Sequence, residues 1–202
     1  MSRVVSVAGA LILTLALAVP FGDAQTPRKS IMVVDFADRA GGWQSTREAV
    51  TTRIISKLRD DQSLRVLPRD RVQEALQQAK VETAGMIDPE DVQKVAKSLT
   101  ADFAIMGEVT SFDQQRAGGC LPIVGCTYTD TATVSIRGKV LDAATGQMVA
   151  EPKADVKKQT GSTSVWIGWG NVSLDNFDGQ LIGKATLEAV DKFVGAVKPK
   201  LN

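Results

Sequence analysis

Short apolar runs of strand length alternate along this chain with segments whose apolar residues recur at helical spacing. That alternation constrains the fold more than any other feature. Ile31 to Phe36 is an apolar run bounded by charged residues, as expected of a central strand buried on both faces. Val50, Ile54 and Leu58 then recur at four-residue spacing and predict a core-facing helix from about Ser45 to Arg59, with Ser45 as its cap. Leu64 to Leu67 predicts a second strand stopped by Pro68. Asp70 is a cap for a helix carrying Val72, Ala75, Leu76 and Ala79 on one face. Asp88-Pro89-Glu90-Asp91 combines a capping Asp, a first-turn Pro and two acids that suit the helix dipole, ahead of the stripe Val92, Val95, Ala96 and Leu99.

The second half reads differently. Phe103 to Phe112 begins apolar and ends in alternation, predicting a long strand that emerges from the core and leads into a loop carrying both cysteines. Ala132, Val134, Ile136 and Val140 alternate with polar residues, the mark of a strand with one wet face. Asp142 to Gly146 supplies a turn, and a return strand runs from Gln147 to about Gln159, with Pro152 placing it at an edge or breaking it. A closing helix is predicted from about Asn176 to Lys198, where Ile182, Ala185, Ala189, Phe193 and Val197 share a face and Gly179 and Gly183 permit close approach to the sheet. The order β-α-β-α-α-β-β-β-α implies an α/β fold built on a single mixed β-sheet flanked by helices.

Ahead of these elements, residues 1–24 read as a signal peptide. Arg3 is the positive n-region, Val4 to Val19 the apolar h-region, and Gly22-Asp23-Ala24 a small-x-small cleavage site, giving scission between Ala24 and Gln25. The apolar run falls just short of the roughly 18–20 residues that span a bilayer, so an uncleaved anchor is the lesser reading. No Cys lies between Met1 and Gln25, so no lipid anchor is evident. The remainder, 25–202, is of single-domain size, and 44% hydrophobic with 23% charged residues is ordinary for a globular domain. A net charge of +1 supplies no basic field for nucleic acid.

The chain has no His, which removes the commonest general acid/base and the commonest metal ligand. Cys120 and Cys126 are its two cysteines. In an exported chain a disulfide is their natural reading, one that stabilises by about 2–3 kcal/mol through closing a short loop. A catalytic Cys lacks a His partner, and a metal site lacks further ligands.

Taken in order, Ile31 to Phe36, Leu67-Pro68-Arg69, Ala101 to Thr110, Val140-Leu141-Asp142-Ala143-Ala144-Thr145-Gly146-Gln147 and Asn176 to Ala185 resemble the CsgG family of curli production, assembly and transport components over nearly the whole of 25–202. The resemblance implies a CsgG-like, TolB-N-like sheet, in which the Thr-Gly turn joins two strands. It also implies an envelope role with no catalysis and no cofactor. Pore-forming members are lipoproteins that insert two β-hairpins per subunit into a multi-subunit outer-membrane barrel, and here this sequence departs from the family. Asp113 to Asp130 holds Gln114-Gln115-Arg116, Pro122 and the cysteines, without the sustained alternation of a spanning strand, and Thr160 to Leu174 is short for two spanning strands of roughly 9–11 residues.

Candidate interaction residues are Trp166, Ile167 and Trp169, since two Trp two apart in a stretch rich in Ser, Gly and Asn face the same side if extended. Trp43 reads as packing. Asp35, Asp38, Asp102 and Glu108 can be imagined as a carboxylate cluster, but turn and cap roles suit them better. Gly41-Gly42 lacks the rest of a phosphate loop, and Asn171-Val172-Ser173 is disregarded as a glycosylation acceptor. The function expected is that of a non-enzymatic accessory to curli or other envelope assembly or secretion, acting by self-association or on envelope protein partners in the periplasm or outer-membrane-bounded periplasmic space. The alternatives are an outer-membrane secretion pore subunit and a periplasmic activator of a cell-wall synthase.

Overall fold

A computed structural model describes residues 28–41, 44–81, 87–121, 125–164 and 180–201. Twelve elements follow one another: β1 (Lys29–Val33), β2 (Ala37–Asp38), α1 (Gln44–Arg59), β3 (Leu64–Val66), α2 (Arg69–Gln78), α3 (Pro89–Ser98), β4 (Phe103–Leu121), β5 (Gly125–Asp142), β6 (Met148–Ala150), β7 (Lys153–Ser164), α4 (Leu181–Val197) and a 3-10 turn (Lys198–Lys200). The strands form one mixed sheet. β1 is central to a parallel half, with β3 on one side and β4 on the other. β4, β5 and then β6 and β7 continue it antiparallel.

The parallel half is buried on both faces, which explains the unbroken apolar run at Ile31 to Val34. Ile31, Val33 and Ile105 pack against Val50, Ile54 and Leu58 of α1 and Phe193 and Val197 of α4. Met32, Val34, Ala104 and Met106 pack against Val72 and Leu76 of α2 and Val92 and Val95 of α3. Each of the Val, Leu, Ile, Met and Phe side chains among them stabilises the fold by about 1.5–3 kcal/mol through burial. At α3 the predicted cap is realised: the Asp88 carboxylate accepts a 2.9 Å bond from the Glu90 N–H, with Pro89 in the first turn.

Where β4 meets β5, Gly107 stands opposite Gly138. A Cβ on Gly107 would fall 2.4 Å from the Phe36 ring, and one on Gly138 2.5 Å from the Phe193 ring. The two rings meet edge to face at 5.4 Å, both fully buried. This glycine pair is the recess that lets two aromatics lie directly on the sheet. Beyond the strand, Gly146 closes the β5–β6 turn at φ 75°, and the Asp142 carboxylate accepts the Thr145 N–H at 2.8 Å.

Several boundaries differ from expectation. β1 ends at Val33, and a further strand, β2, takes Asp38 into pairing with β4. Ser45 lies inside α1, which begins one residue earlier, so it is not the cap. Pro68, preset to an extended entry, occupies the position before α2 and displaces Asp70 into the first turn. The return strand stops at Ala150 and resumes at Lys153 as β7, because Pro152 has no N–H to donate; its carbonyl instead accepts from Gly138 N at 2.9 Å. The closing helix starts at Leu181, after an extended Gln180. Asn176 to Gly179 fall outside the described residues.

Candidate functional site: a projecting three-stranded ribbon

The segment expected to be the cysteine loop is instead strand. β4 and β5 stay paired from Phe103–Asp142 out to Leu121–Gly125, with one shift of register, and β7 pairs with β5 as far as Cys126–Ser164. The reason lies in β5. Thr127, Thr129, Thr131 and Thr133 occupy one face with Ser135, while Tyr128, Asp130, Ala132, Val134 and Ile136 occupy the other. β-Branched residues favour the strand, and the cross-strand ladder satisfies the backbone without any apolar requirement on β4. β2 ends opposite Val109, where a bulge interrupts the register. From there the ribbon runs on for roughly 40 Å, at about 3.4 Å per residue over Thr110 to Leu121.

Beyond Phe112, Val134 and Ala132, which still belong to the core, both faces of this projection are polar. On the side that α1 and α4 cover lower down, Arg116 grips Asp130 across the strands with bonds of 2.7 and 3.0 Å. The hydrogen bonds from Arg116 hold the Asp130 carboxyl below the usual carboxylate range. The Arg116 guanidinium also lies 5.7 Å from the Tyr128 ring centre. Tyr128 Oη in turn approaches Cys120 Sγ at 3.1 Å. Gly118, at φ 152°, fits beneath this cluster because a Cβ there would strike the Thr127 carbonyl at 2.1 Å. The register sets Cys120 directly opposite Cys126, on the same side as Tyr128. On the other face lies the Thr ladder, continued by Asp113 and Gln115 on β4 and by Lys157 and Gln159 on β7.

Among the described residues no strand pairs with the outer edge of β4 beyond Val109, nor with the outer edge of β7. Each is a row of backbone donors and acceptors on which another strand can build. No helix among the described residues is long and apolar enough to cross a membrane.

The four carboxylates Asp35, Asp38, Asp102 and Glu108 each hold partners of their own, as turn and cap roles would have it for Asp38 and Asp102. Asp35 accepts three bonds, from Arg69 Nε and Nη2 at 2.7 Å each and from Gln73 at 2.9 Å. Burial works to raise its pKa, but these bonds and the charges of Arg69 and Arg47 outweigh it, leaving Asp35 below its ordinary value. Asp38 accepts the Ala40 N–H, as a turn former does. Asp102 accepts Ser30 N at 2.7 Å. Glu108 lies 2.7 Å from Arg39 Nε, a charge contact rather than an aligned hydrogen bond. Asp35 and Glu108 border one small cavity of about 80 Å³, together with Arg137 and Lys139. No group of three or more Cys, Asp or Glu that could hold a metal occurs among the described residues. Trp43, Trp166, Ile167, Trp169, Asn171 and the Ala24–Gln25 junction lie outside them.

The sequence model for the curli production assembly/transport component CsgG matches residues 21–200. This chain belongs to the CsgG family. No curated protein sequence matches it. Among solved structures, a hypothetical protein from Chlamydia trachomatis is similar at 14% identity over 86% of this chain and 98% of that one, with a TM-score of 0.55. The LpoB C-terminal domain from Salmonella enterica matches at 14% identity over 67% and 87%, TM-score 0.47. The PelC dodecamer from Paraburkholderia phytofirmans matches at 12% over 85% and 89%, TM-score 0.49. The Chlamydia likeness supports the family's mixed sheet flanked by helices.

Proposed function

We propose that the chain is a non-catalytic accessory of envelope assembly or secretion, in curli or another system, exported to the periplasm and its outer-membrane face after cleavage between Ala24 and Gln25. It works by self-association or by docking on envelope proteins, and the ribbon is its contact surface. The observation that carries this reading is the ribbon itself. Past Phe112 and Ala132, which pack in the core, the polar three-stranded projection adds little to it, yet it holds two long edges that are unpaired among the described residues. The Arg116–Asp130 clamp stiffens it, and a Cys120–Cys126 disulfide, which the facing positions favour, closes its end. Trp166 and Trp169, which follow β7 in sequence, are proposed as apolar anchors beside it.

A pore subunit is the second reading, favoured by strand length. The stretch from Ser111 to Leu121 meets the roughly 9–11 residues of a spanning strand. The faces oppose it, since neither Phe112-Gln114-Arg116 nor Ser111-Asp113-Gln115 forms the apolar band that lipid requires. The test is site-specific photo-crosslinking in cells, with the probe at Gln115 and Gln159 on the ribbon and at Gln78 on α2. Discrete adducts with a second copy or an envelope protein are expected from the ribbon positions. Adducts from Gln78 alone would overturn the assignment of the surface.

A further inference from the structure

The far end of the ribbon carries chemistry that its backbone does not need. The strand register sets Cys120 directly opposite Cys126, and residues so placed have Cα atoms about 4.5–5.5 Å apart, within the span of a disulfide. A bond between them closes a short loop, so it restricts the unfolded chain far less than a disulfide across a long loop does. Nor does the ribbon depend on it. The β4–β5 pairing continues without a shift from Ser111–Ser135 to Leu121–Gly125, and Arg116 already grips Asp130 further down. Cys120 is exposed, which leaves it open to a thiol. Exposed disulfides are the labile ones, whereas buried cysteines are inert.

Cys120 also has a particular neighbour. Tyr128 Oη lies 3.1 Å from Cys120 Sγ. A disulfide sulfur carries no hydrogen, so in the oxidised ribbon the tyrosine O–H is the donor. It remains the donor when the bond opens, and a thiolate accepts it far better than a neutral sulfur does. The charges beside it offset one another. Arg116, 5.7 Å from the Tyr128 ring centre, is held by Asp130, and β7 sets the uncharged Ser162 opposite Tyr128. The tyrosine O–H therefore makes Cys120 the better leaving group of the pair.

We propose that the ribbon end is a thiol–disulfide exchange site whose partner is a dithiol protein of the envelope. This rests on the Cys120–Cys126 disulfide proposed above. A thiolate of the partner attacks the sulfur of Cys126, the Cys120–Cys126 bond breaks, and its electron pair leaves on Cys120 Sγ, where the Tyr128 O–H stabilises it. The partner's second thiolate then attacks the partner's own sulfur in the mixed disulfide and releases Cys126 as a thiolate. The partner is oxidised by two electrons and the ribbon reduced by two, and the two cysteines take up the protons that the partner's thiols gave up. The strand pairing stays in place throughout.

The test is intact mass after iodoacetamide on the mature protein, untreated or incubated with dithiothreitol or with reduced thioredoxin as a protein dithiol, at urea concentrations below the unfolding transition. No label is expected without reductant, and two labels with either reductant, at a rate that urea leaves unchanged. Cys126→Ser and Cys120→Ser each leave one thiol. From the pH dependence of alkylation, Cys120 should titrate about one unit below Cys126, and Tyr128→Phe should remove that gap. Tyr128→Phe should also slow reduction of the native disulfide by about threefold. Two labels without reductant would show that no bond joins the pair, which removes the disulfide and this proposal with it. A disulfide that thioredoxin leaves closed, one that opens only as urea unfolds the chain, or a Cys120 that titrates with Cys126 or is unmoved by Tyr128→Phe would overturn the exchange site and leave the disulfide standing.

Discussion

Adding a single methyl group at Gly138 should destabilise the domain more than its size suggests. The new Cβ would lie 2.5 Å from both Cε2 and Cζ of Phe193, whose ring is fully buried and set edge to face against Phe36. Relief requires the ring to tilt out of that pairing or the strand to move, and overpacking of this kind costs about 1–3 kcal/mol. At about 2–4 °C per kcal/mol for a chain of this size, Gly138→Ala should lower the unfolding midpoint by about 2–12 °C. Phe193→Leu removes the ring and should itself cost about 1–2 kcal/mol. In the double variant the methyl has room, so the combined loss should fall short of the sum by about 1 kcal/mol or more. Urea unfolding followed by circular dichroism of all four proteins measures this directly. Additivity within about 0.5 kcal/mol would refute the steric account.

Alkylation of the native, unreduced protein should leave Cys120 and Cys126 unmodified, and two labelled thiols would exclude their pairing. Asp35→Asn should cost about 1–3 kcal/mol by breaking the link from β1 to Arg69 and Gln73. Because the folded-state pKa of Asp35 is depressed, its contribution is full above the unfolded value near 4 and is lost as pH falls through the lower folded one. The Asn variant should therefore lose less stability than the parent on acidification below about pH 4, which paired acid titrations would show. Intact mass of periplasmic protein should begin at Gln25 rather than Met1. A Trp166→Ala, Trp169→Ala double change should weaken association while leaving stability within about 1 kcal/mol, and a larger loss would place the pair in the core.

The parallel half was legible because its signals are local and agree with one another. Ile31 to Val34, the Val50-Ile54-Leu58 stripe and the Asp88-Pro89 start each specify their element without help from a distant residue. The ribbon was not, because apolar alternation in β5 starts only at Ala132. The same period continues upstream through Thr127, Thr129, Thr131 and Thr133, with Tyr128 and Asp130 on the opposite side. What stabilises that extension is cross-strand: Arg116 must meet Asp130, fourteen residues away, and nothing in either neighbourhood announces the pair. The Asp35–Arg69 contact was hidden for a like reason, since the two residues are 34 apart and only the pairing of β1 with β3 brings them together. The Gly107–Gly138 recess depends on strand register, which composition does not encode.

Light scattering coupled to size exclusion separates the accessory and pore readings when it is run, with and without detergent, on the mature protein and on a variant whose ribbon from Gln115 to Thr131 is replaced by a tight Asn-Gly turn, which keeps Phe112 and Ala132 in the core. A discrete, detergent-independent species larger than one chain is expected for the parent, and a single folded chain for the shortened form. An assembly that survives loss of the ribbon, or one that appears only in detergent and conducts ions once reconstituted, would contradict that expectation.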